Sequence, residues 1–412
     1  MLENNKEDPL FFRKEENMKS LTLKNLTSES GNDNNITTLH ARVRHAQTNY
    51  FSSENNPLGL PVLLFYFLSW TGLYEKPNAK LYHRISSATF KIILISVNID
   101  VWVIHLITIE NKSLPSYLAY LSVYILCIGT WYTMYLKKMQ LKSLLYRFQE
   151  ISPSIKEKQI NYFTLVLFCM SAVFSFFLTI FSIYNDRDMY SYGYKISNEF
   201  IRISFASFKN LFYALIYPTS VNLLALLYYL MCLRSCSLIK KLTDEILRCP
   251  IETFVTSKQF EILRRKAKID EILNCIEDVF SIPSFLILVA NLFLCACILL
   301  LYLHHDKWED PPILIHFERI LYIFNSSACL VIMLWMAGGT SIKERRFREI
   351  FYQKSQSRML STGNAEEPRI ERWLLDKPEF VFTGWDIVSY RRNTVFAVLG
   401  TLITYSVLVV SK

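Results

Sequence analysis

Seven stretches of this chain are nearly free of charge over the length that a bilayer demands. Crossing a hydrocarbon core about 30 Å thick takes about 20 apolar residues in a helix. Ser116–Leu136, Asn161–Tyr184, Asn210–Leu233, Val279–His304, Ile320–Ile342 and Asn393–Ser411 contain no Asp, Glu, Lys or Arg, and Ile92–Ile109 contains one, Asp100. Lipid offers open backbone no hydrogen-bond partner, so all seven are predicted as transmembrane helices. The fold class expected is an all-α polytopic membrane protein. Only 20% of the 412 residues are charged, and Lys and Arg crowd between the apolar runs, which excludes a soluble globular enzyme as the leading reading. An eighth run, Leu58–Leu73, is short and holds Gly59, Pro61 and Gly72. It is predicted as an interfacial or re-entrant helix leading into the first span.

Loop charge sets the expected threading, because cytoplasmic loops carry the excess of Lys and Arg. Segments 137–160, 234–278 and 338–379 hold 24 basic residues, against 5 in 110–115, 185–198, 305–313 and the C-terminal tip. Residues 1–87 add ten on the rich side. The N-terminus is therefore expected inside and the C-terminus outside, the reverse of a G-protein-coupled receptor. The net charge of +9 then reflects basic loops facing anionic lipid, and no nucleic-acid partner is expected. No signal peptide is read at the start, and residues 1–57 are expected to be a disordered cytoplasmic tail. Residues 58–336 are expected to hold spans one to six, and 337–412 a cytoplasmic segment and the seventh.

The basic segments are patterned as helices. Leu141, Leu144, Leu145 and Phe148 share a face, as do Leu238, Ile239, Leu242 and Ile246, and Ile262, Leu263, Ile269, Ile272 and Leu273. That spacing predicts amphipathic helices. They either pack as a cytoplasmic bundle, the favoured reading, or lie on the membrane surface. No catalytic motif is present, so no enzyme activity and no cofactor are expected. His304, His305, Asp306 and His316 match no standard metal spacing, and no metal site is expected. All nine cysteines fall in spans or basic segments, and no structural disulfide is expected. Asn111 opens a glycosylation sequon in a short outer loop, its modification left open. The sequons at Asn25 and Asn35 face inward and should be silent.

The final segment reads Phe380-Val381-Phe382-Thr383-Gly384-Trp385, then Gly400-Thr401-Leu402-Ile403-Thr404-Tyr405-Ser406-Val407-Leu408-Val409-Val410. It resembles the closing signature of arthropod gustatory receptors, relatives of insect odorant receptors: a Thr-Tyr pair, here Thr404-Tyr405, after a Phe-rich entry. Size, seven spans, an inside N-terminus, the long stretch before span five and Phe280-Ser281-Ile282-Pro283 fit the same family. The family's closing Gln falls on Ser411 here, and Ser406 takes a usually apolar place, which leaves ion selectivity open. The resemblance implies a ligand-gated non-selective cation channel, opened by a small-molecule tastant. It also implies a tetramer around a pore lined by the last helix, homomeric or mixed with related receptors, in the plasma membrane of sensory neurons. Inverted-topology odorant-type receptors, non-conducting chemoreceptors and, less so, secondary transporters stay as alternatives.

Residue spacing is compatible with that picture. Thr401, Thr404, Leu408 and Ser411 share one face, a hydroxyl stripe with one Leu suited to a pore for monovalent and divalent cations that gates by dewetting. The other reading is that Thr and Ser bond back to their own helix or pack between helices. Family members bind ligand in the outer half of the earlier spans. The candidates there are Tyr120, Tyr124, Phe177, Asn210, Tyr213, Tyr217, His316, Glu318 and Tyr322. Aromatic walls with a few polar groups suit a small-molecule pocket. Asp100 either answers a cation or a hydrogen-bonded polyol, or is protonated and bonded inside the bundle, the latter favoured. Glu318 and Arg319 either serve the pocket or pair at the interface. The tastant itself is not legible.

Overall fold

The computed structural model describes residues 61–74, 81–107, 114–151, 157–184, 191–303, 313–362 and 378–410. The expected tail over 1–57, the sequon at Asn111, and His304, His305, Asp306 and Ser411 lie outside them. A short helix, α1 (Val62–Trp70), stands where the eighth run was expected. It is followed by α2 (Leu81–Ile107), α3 (Leu114–Leu136), α4 (Lys138–Ile151) and α5 (Glu157–Tyr184). Next come α6 (Glu199–Ala214), α7 (Val221–Arg248), α8 (Thr256–Leu303), α9 (Ile313–Thr362) and, after a small hairpin, α10 (Arg392–Val410). Six helical segments among the described residues are long and apolar enough to cross a membrane: Arg84–Ile107, Leu118–Leu136, Gln159–Ile180, Glu199–Arg248, Thr256–Leu299 and His316–Ser361. The chain is a multi-pass membrane protein by that measure. The run expected as span seven is helical as α10.

Helix α2 shows how a span sorts its faces. Ile92, Ile95, Ile99, Val103 and Leu106 are exposed, while Leu94, Val97, Val101 and Ile104 are buried. Lipid covers the first face at no cost, and the second packs inward.

Span four departs from a plain rod. It begins at Glu199, not near Asn210, and it breaks at Leu215–Ser220, where Tyr217 leaves helical backbone at φ −137, ψ 125. Proline favours the break without dictating it. Pro218 has no N–H to give and pushes the residue before it toward extended backbone. Pro283, by contrast, sits inside an unbroken α8.

Helices α8 and α9 are the long members. At about 1.5 Å per residue their 48 and 50 residues span roughly 70–75 Å, over twice a bilayer core of about 30 Å. They run on as the helical bundle favoured by the sequence. Leu141, Leu144, Leu145 and Phe148 of α4 are fully buried, as are Ile239 and Ile246 of α7 and Ile262 and Leu273 of α8. Phe347 and Phe351 of α9 complete this core. Ion pairs tie it. Lys266 of α8 meets Glu344 of α9 at 2.8 Å with both side chains almost fully buried. Lys266 also pairs with Asp270, and Arg348 reaches Glu344 at 3.3 Å. Arg265 holds Glu245 at 2.7 Å, and Arg358 Nη1 donates to the Glu252 carbonyl at 2.8 Å.

The Phe-rich entry to the last helix is a two-stranded antiparallel hairpin, β1 (Thr383–Gly384) with β2 (Val388–Ser389), Thr383 opposite Ser389. It docks on α8. The Thr383 backbone N–H donates to Glu277 Oε1 at 2.9 Å and its hydroxyl to the same carboxylate. The Trp385 N–H donates to Ser281 Oγ at 2.9 Å, and the Tyr390 and Ser284 hydroxyls are 3.0 Å apart. Phe382, fully buried, packs on Tyr228 with ring centroids 5.9 Å apart. Gly384 is required here, because a Cβ would lie 2.3 Å from the Tyr390 hydroxyl.

Close approach at the last helix falls on Gly338 of α9. A Cβ there would lie 2.7 Å from Arg392 N and 2.9 Å from Arg391 C. Gly400, by contrast, has open space around it among the described residues. Gly338→Ala should therefore cost about 1–3 kcal/mol of overpacking, read as a lowered unfolding temperature in detergent, while Gly400→Ala leaves that temperature unchanged. Equal effects of the two variants would contradict the contact.

Candidate functional site

The pocket candidates lie on α3, α5, α6, the break after α6, and α9. Four of them converge. The Tyr120 and Tyr124 hydroxyls on α3 are 3.2 Å apart. The Tyr124 ring meets those of Tyr213 and Tyr217 edge-on at 6.4 and 6.5 Å. Because its backbone has left the helix, Tyr217 is aimed across the bundle: its hydroxyl is 3.1 Å from Asn291 Oδ1 on α8 and 3.1 Å from Ser326 Oγ on α9. One tyrosine thus joins three spans.

Asn210, completely buried, lies one turn before Tyr213 on α6. Its Nδ2 donates to Thr179 Oγ1 on α5 at 3.3 Å, and among the described residues its Oδ1 has no hydrogen-bond partner. A buried acceptor left open costs about 1–3 kcal/mol. It is therefore a place where a hydroxyl or amide of an entering molecule would be rewarded. The remaining candidates form a second strip. The Phe177 ring packs at a tilt on Phe317 at 5.2 Å, and Tyr322 on Phe174 at 4.5 Å. His316 and Glu318 are half-buried near the start of α9. The Asn210–Thr179 and Tyr217–Ser326 bonds connect the two strips.

Asp100 is bonded inside the bundle, as favoured, but to a cation. Lys209 Nζ lies 2.9 Å from its Oδ1, with side-chain exposures of 9% and 15%. The hydroxyls of Tyr192 and Tyr213 donate to the two carboxylate oxygens. Lys209 Nζ also sits 4.1 Å above the Tyr192 ring. A carboxylate facing an ammonium and two phenols is well satisfied, which is how a charge is tolerated within a span. Sequence reasoning missed Lys209, Tyr192 and the His105 ring, which stacks on Tyr120 at 5.1 Å. Lys209 lies one residue before the charge-free run that defined span four, so the search excluded it by construction. Tyr192 is in a loop with left-handed backbone, φ 56, and no periodicity points to it.

On α10, Val395 is buried and Val398 and Leu399 pack against the core. Thr401 and Thr404 are exposed on the opposite side. Thr401 Oγ1 donates to the Ala397 carbonyl at 2.8 Å, the back-bonding expected of a hydroxyl in an apolar helix. The side chains of Tyr405 and Leu408 lie outside the described ones.

No protein-family model matches the chain, and no curated protein matches its sequence. Solved structures do. The insect olfactory receptor OR5 from Machilis hrabei in complex with eugenol superposes with a TM-score of 0.62 at 11% identity, covering 88% of this chain and 98% of that one. A second structure of the same receptor gives 0.59 at 12% identity, covering 87% and 98%. This chain therefore has the insect olfactory receptor fold across nearly all of that receptor's length.

The Asp100–Lys209 pair yields a stability test. Asp100→Asn removes the carboxylate facing a buried ammonium, a loss of about 3–5 kcal/mol, measured as thermal unfolding in detergent. Adding Lys209→Met should recover most of it. A double variant as unstable as the single one would show that the pair is not a unit.

Proposed function

We propose that this chain is a subunit of a gustatory receptor: a ligand-gated, non-selective cation channel opened by a small-molecule tastant. The observation that carries the proposal is the juxtaposition of Tyr120, Tyr124, Tyr213 and Tyr217, beside the open acceptor of Asn210, inside a fold shared with a receptor solved with eugenol. The gustatory assignment rests on Thr404-Tyr405 and the entry at Phe380–Trp385. The ligand enters the tyrosine cluster and is held by ring faces and phenol hydroxyls, with Phe177, His316, Glu318 and Tyr322 at its margin.

Four copies surround the pore in this reading, alone or with related receptors. Helix α10 is the seventh span and presents Thr401, Thr404, Leu408 and Ser411 to the ion path for monovalent and divalent cations. The fully packed state of Tyr124, Tyr213 and Tyr217 is the ligand-free one. Ligand favours an arrangement with that cluster parted, and the equilibrium shifts by the difference in its affinity for the two. The N-terminus lies inside and the C-terminus outside, in the plasma membrane of sensory neurons.

Expression of the chain alone, with current recorded during a panel of candidate ligands, tests this directly. Ligand-evoked current reversing near zero supports it; saturable uptake without current favours a transporter, and binding with neither favours a non-conducting receptor. Tyr120→Phe removes a hydrogen bond worth about 1 kcal/mol, which moves the half-maximal concentration about fivefold and leaves maximal current intact. Leu408→Ala should raise current in the absence of ligand. A tag after Lys412 should be reached by antibody on intact cells, and reached only after permeabilisation if the threading is reversed.

A further inference from the structure

The hairpin ahead of α10 carries an apolar tip that none of the described residues covers. Trp385 is 52% exposed and Ile387 67%. Trp385 and Asp386 both hold left-handed backbone, φ 51 and 56, although neither is glycine. A bulky ring kept in that conformation is held there by its anchors, which are the Glu277 and Ser281 hydrogen bonds described above.

Those anchors also fix its level. Glu277 and Asp278 are the last charged residues of α8 before its charge-free run begins at Val279. The Trp385 ring rests on Phe285, centroids 5.7 Å apart, a turn or two inside that run. The tip therefore sits at the border between charged and apolar surface. Arg391 and Arg392 follow directly, both exposed. The Arg392 guanidinium lies 4.4 Å over the ring of Trp335, itself 43% exposed. Among the described residues neither arginine is in an ion pair. Tryptophan at headgroup level with arginine beside it is the composition of a membrane interface, and the two cations complement negative lipid.

We infer that the hairpin tip and the base of α10 form a site for an anionic phospholipid. Trp385 and Ile387 take the acyl–carbonyl boundary, and Arg391 and Arg392 take the phosphate and headgroup. The site is in the leaflet on the side of the helical bundle, and it holds for either threading of the chain and independently of channel activity.

The test uses the full chain in nanodiscs, with bromine on the lipid acyl chains as a contact quencher of tryptophan. The Trp385 signal is the difference between the wild type and Trp385→Phe. Bromine near the carbonyl end should quench that signal about twofold more than bromine near the methyl end, given a tip lying at the headgroup–acyl boundary. Brominated phosphatidylserine diluted in phosphatidylcholine should quench it more than brominated phosphatidylcholine at equal fraction, and Arg391→Gln should abolish that preference. The preference can be read on total emission as well, so the arginine arm stands if Trp385→Phe fails to fold. A Trp385 signal indifferent to bromine overturns the site. So does efficient disulfide cross-linking of Trp385→Cys chains to one another, which assigns the tip to a second copy. Equal quenching by both lipids overturns the anionic preference.

Discussion

Two helices that cross from one solvent into another govern this structure. Each of α8 and α9 is a single rod through the bilayer and well beyond it, so one element must satisfy two different physical regimes. In the extensions water is present, and burying Leu141, Phe148, Ile246 or Phe351 releases about 1.5–3 kcal/mol each. In the bilayer that driving force is absent, since lipid is as apolar as leucine. The extensions are accordingly held by a hydrophobic core and the Lys266–Glu344 pair. The spans are held by shape and by a few polar joints. Because the rods are continuous, the bundle below sets where the spans above can go.

The polar joints are correspondingly few and placed where elements meet. Asp100 with Lys209 joins α2 to α6, Asn210 with Thr179 joins α6 to α5, and Tyr217 joins the broken span to α8 and α9. All three lie on one side of the Pro218 break or at it. A helix interrupted there has backbone freedom that a continuous one lacks, and its side chains face the tyrosine cluster. The tyrosine cluster thus lies where the backbone of this span departs from regular helical geometry.

Much of this was legible in the sequence, for a clear reason. A run without charge is a strong signal because a charge within lipid is costly, and each predicted span falls on a helix, although span four starts eleven residues earlier and α8 and α9 run well past theirs. The buried faces of α4, α7 and α8 were legible from spacing alone. What escaped were features defined by pairing across the fold. Lys209 reads as the charged end of a span until Asp100 is seen opposite. Tyr192 is one loop residue among several. The hairpin is encoded by Thr383, Trp385 and Tyr390 only through partners on α8, and its turn lacks the Asn-Gly or Asp-Gly pair that usually announces such a turn. The grouping of four tyrosines was anticipated as membership of one half of the bundle. Their mutual contact depends on the break at Tyr217, which a Pro within an apolar run does not by itself dictate, as Pro283 shows in α8.

Attachment of α10 differs sharply along its length. Its first turn is pressed on Gly338 so closely that backbone meets backbone. The segment before it is fastened to Glu277, Ser281 and Ser284 of α8. Farther along, the helix keeps one apolar face on the core, while Thr401 and Thr404 face away and a Cβ at Gly400 would meet none of the described residues. A rod fixed at its base and held on one side above it moves most readily by tilting about that base. A displacement of α10 would then be largest at its far end and smallest at the hairpin.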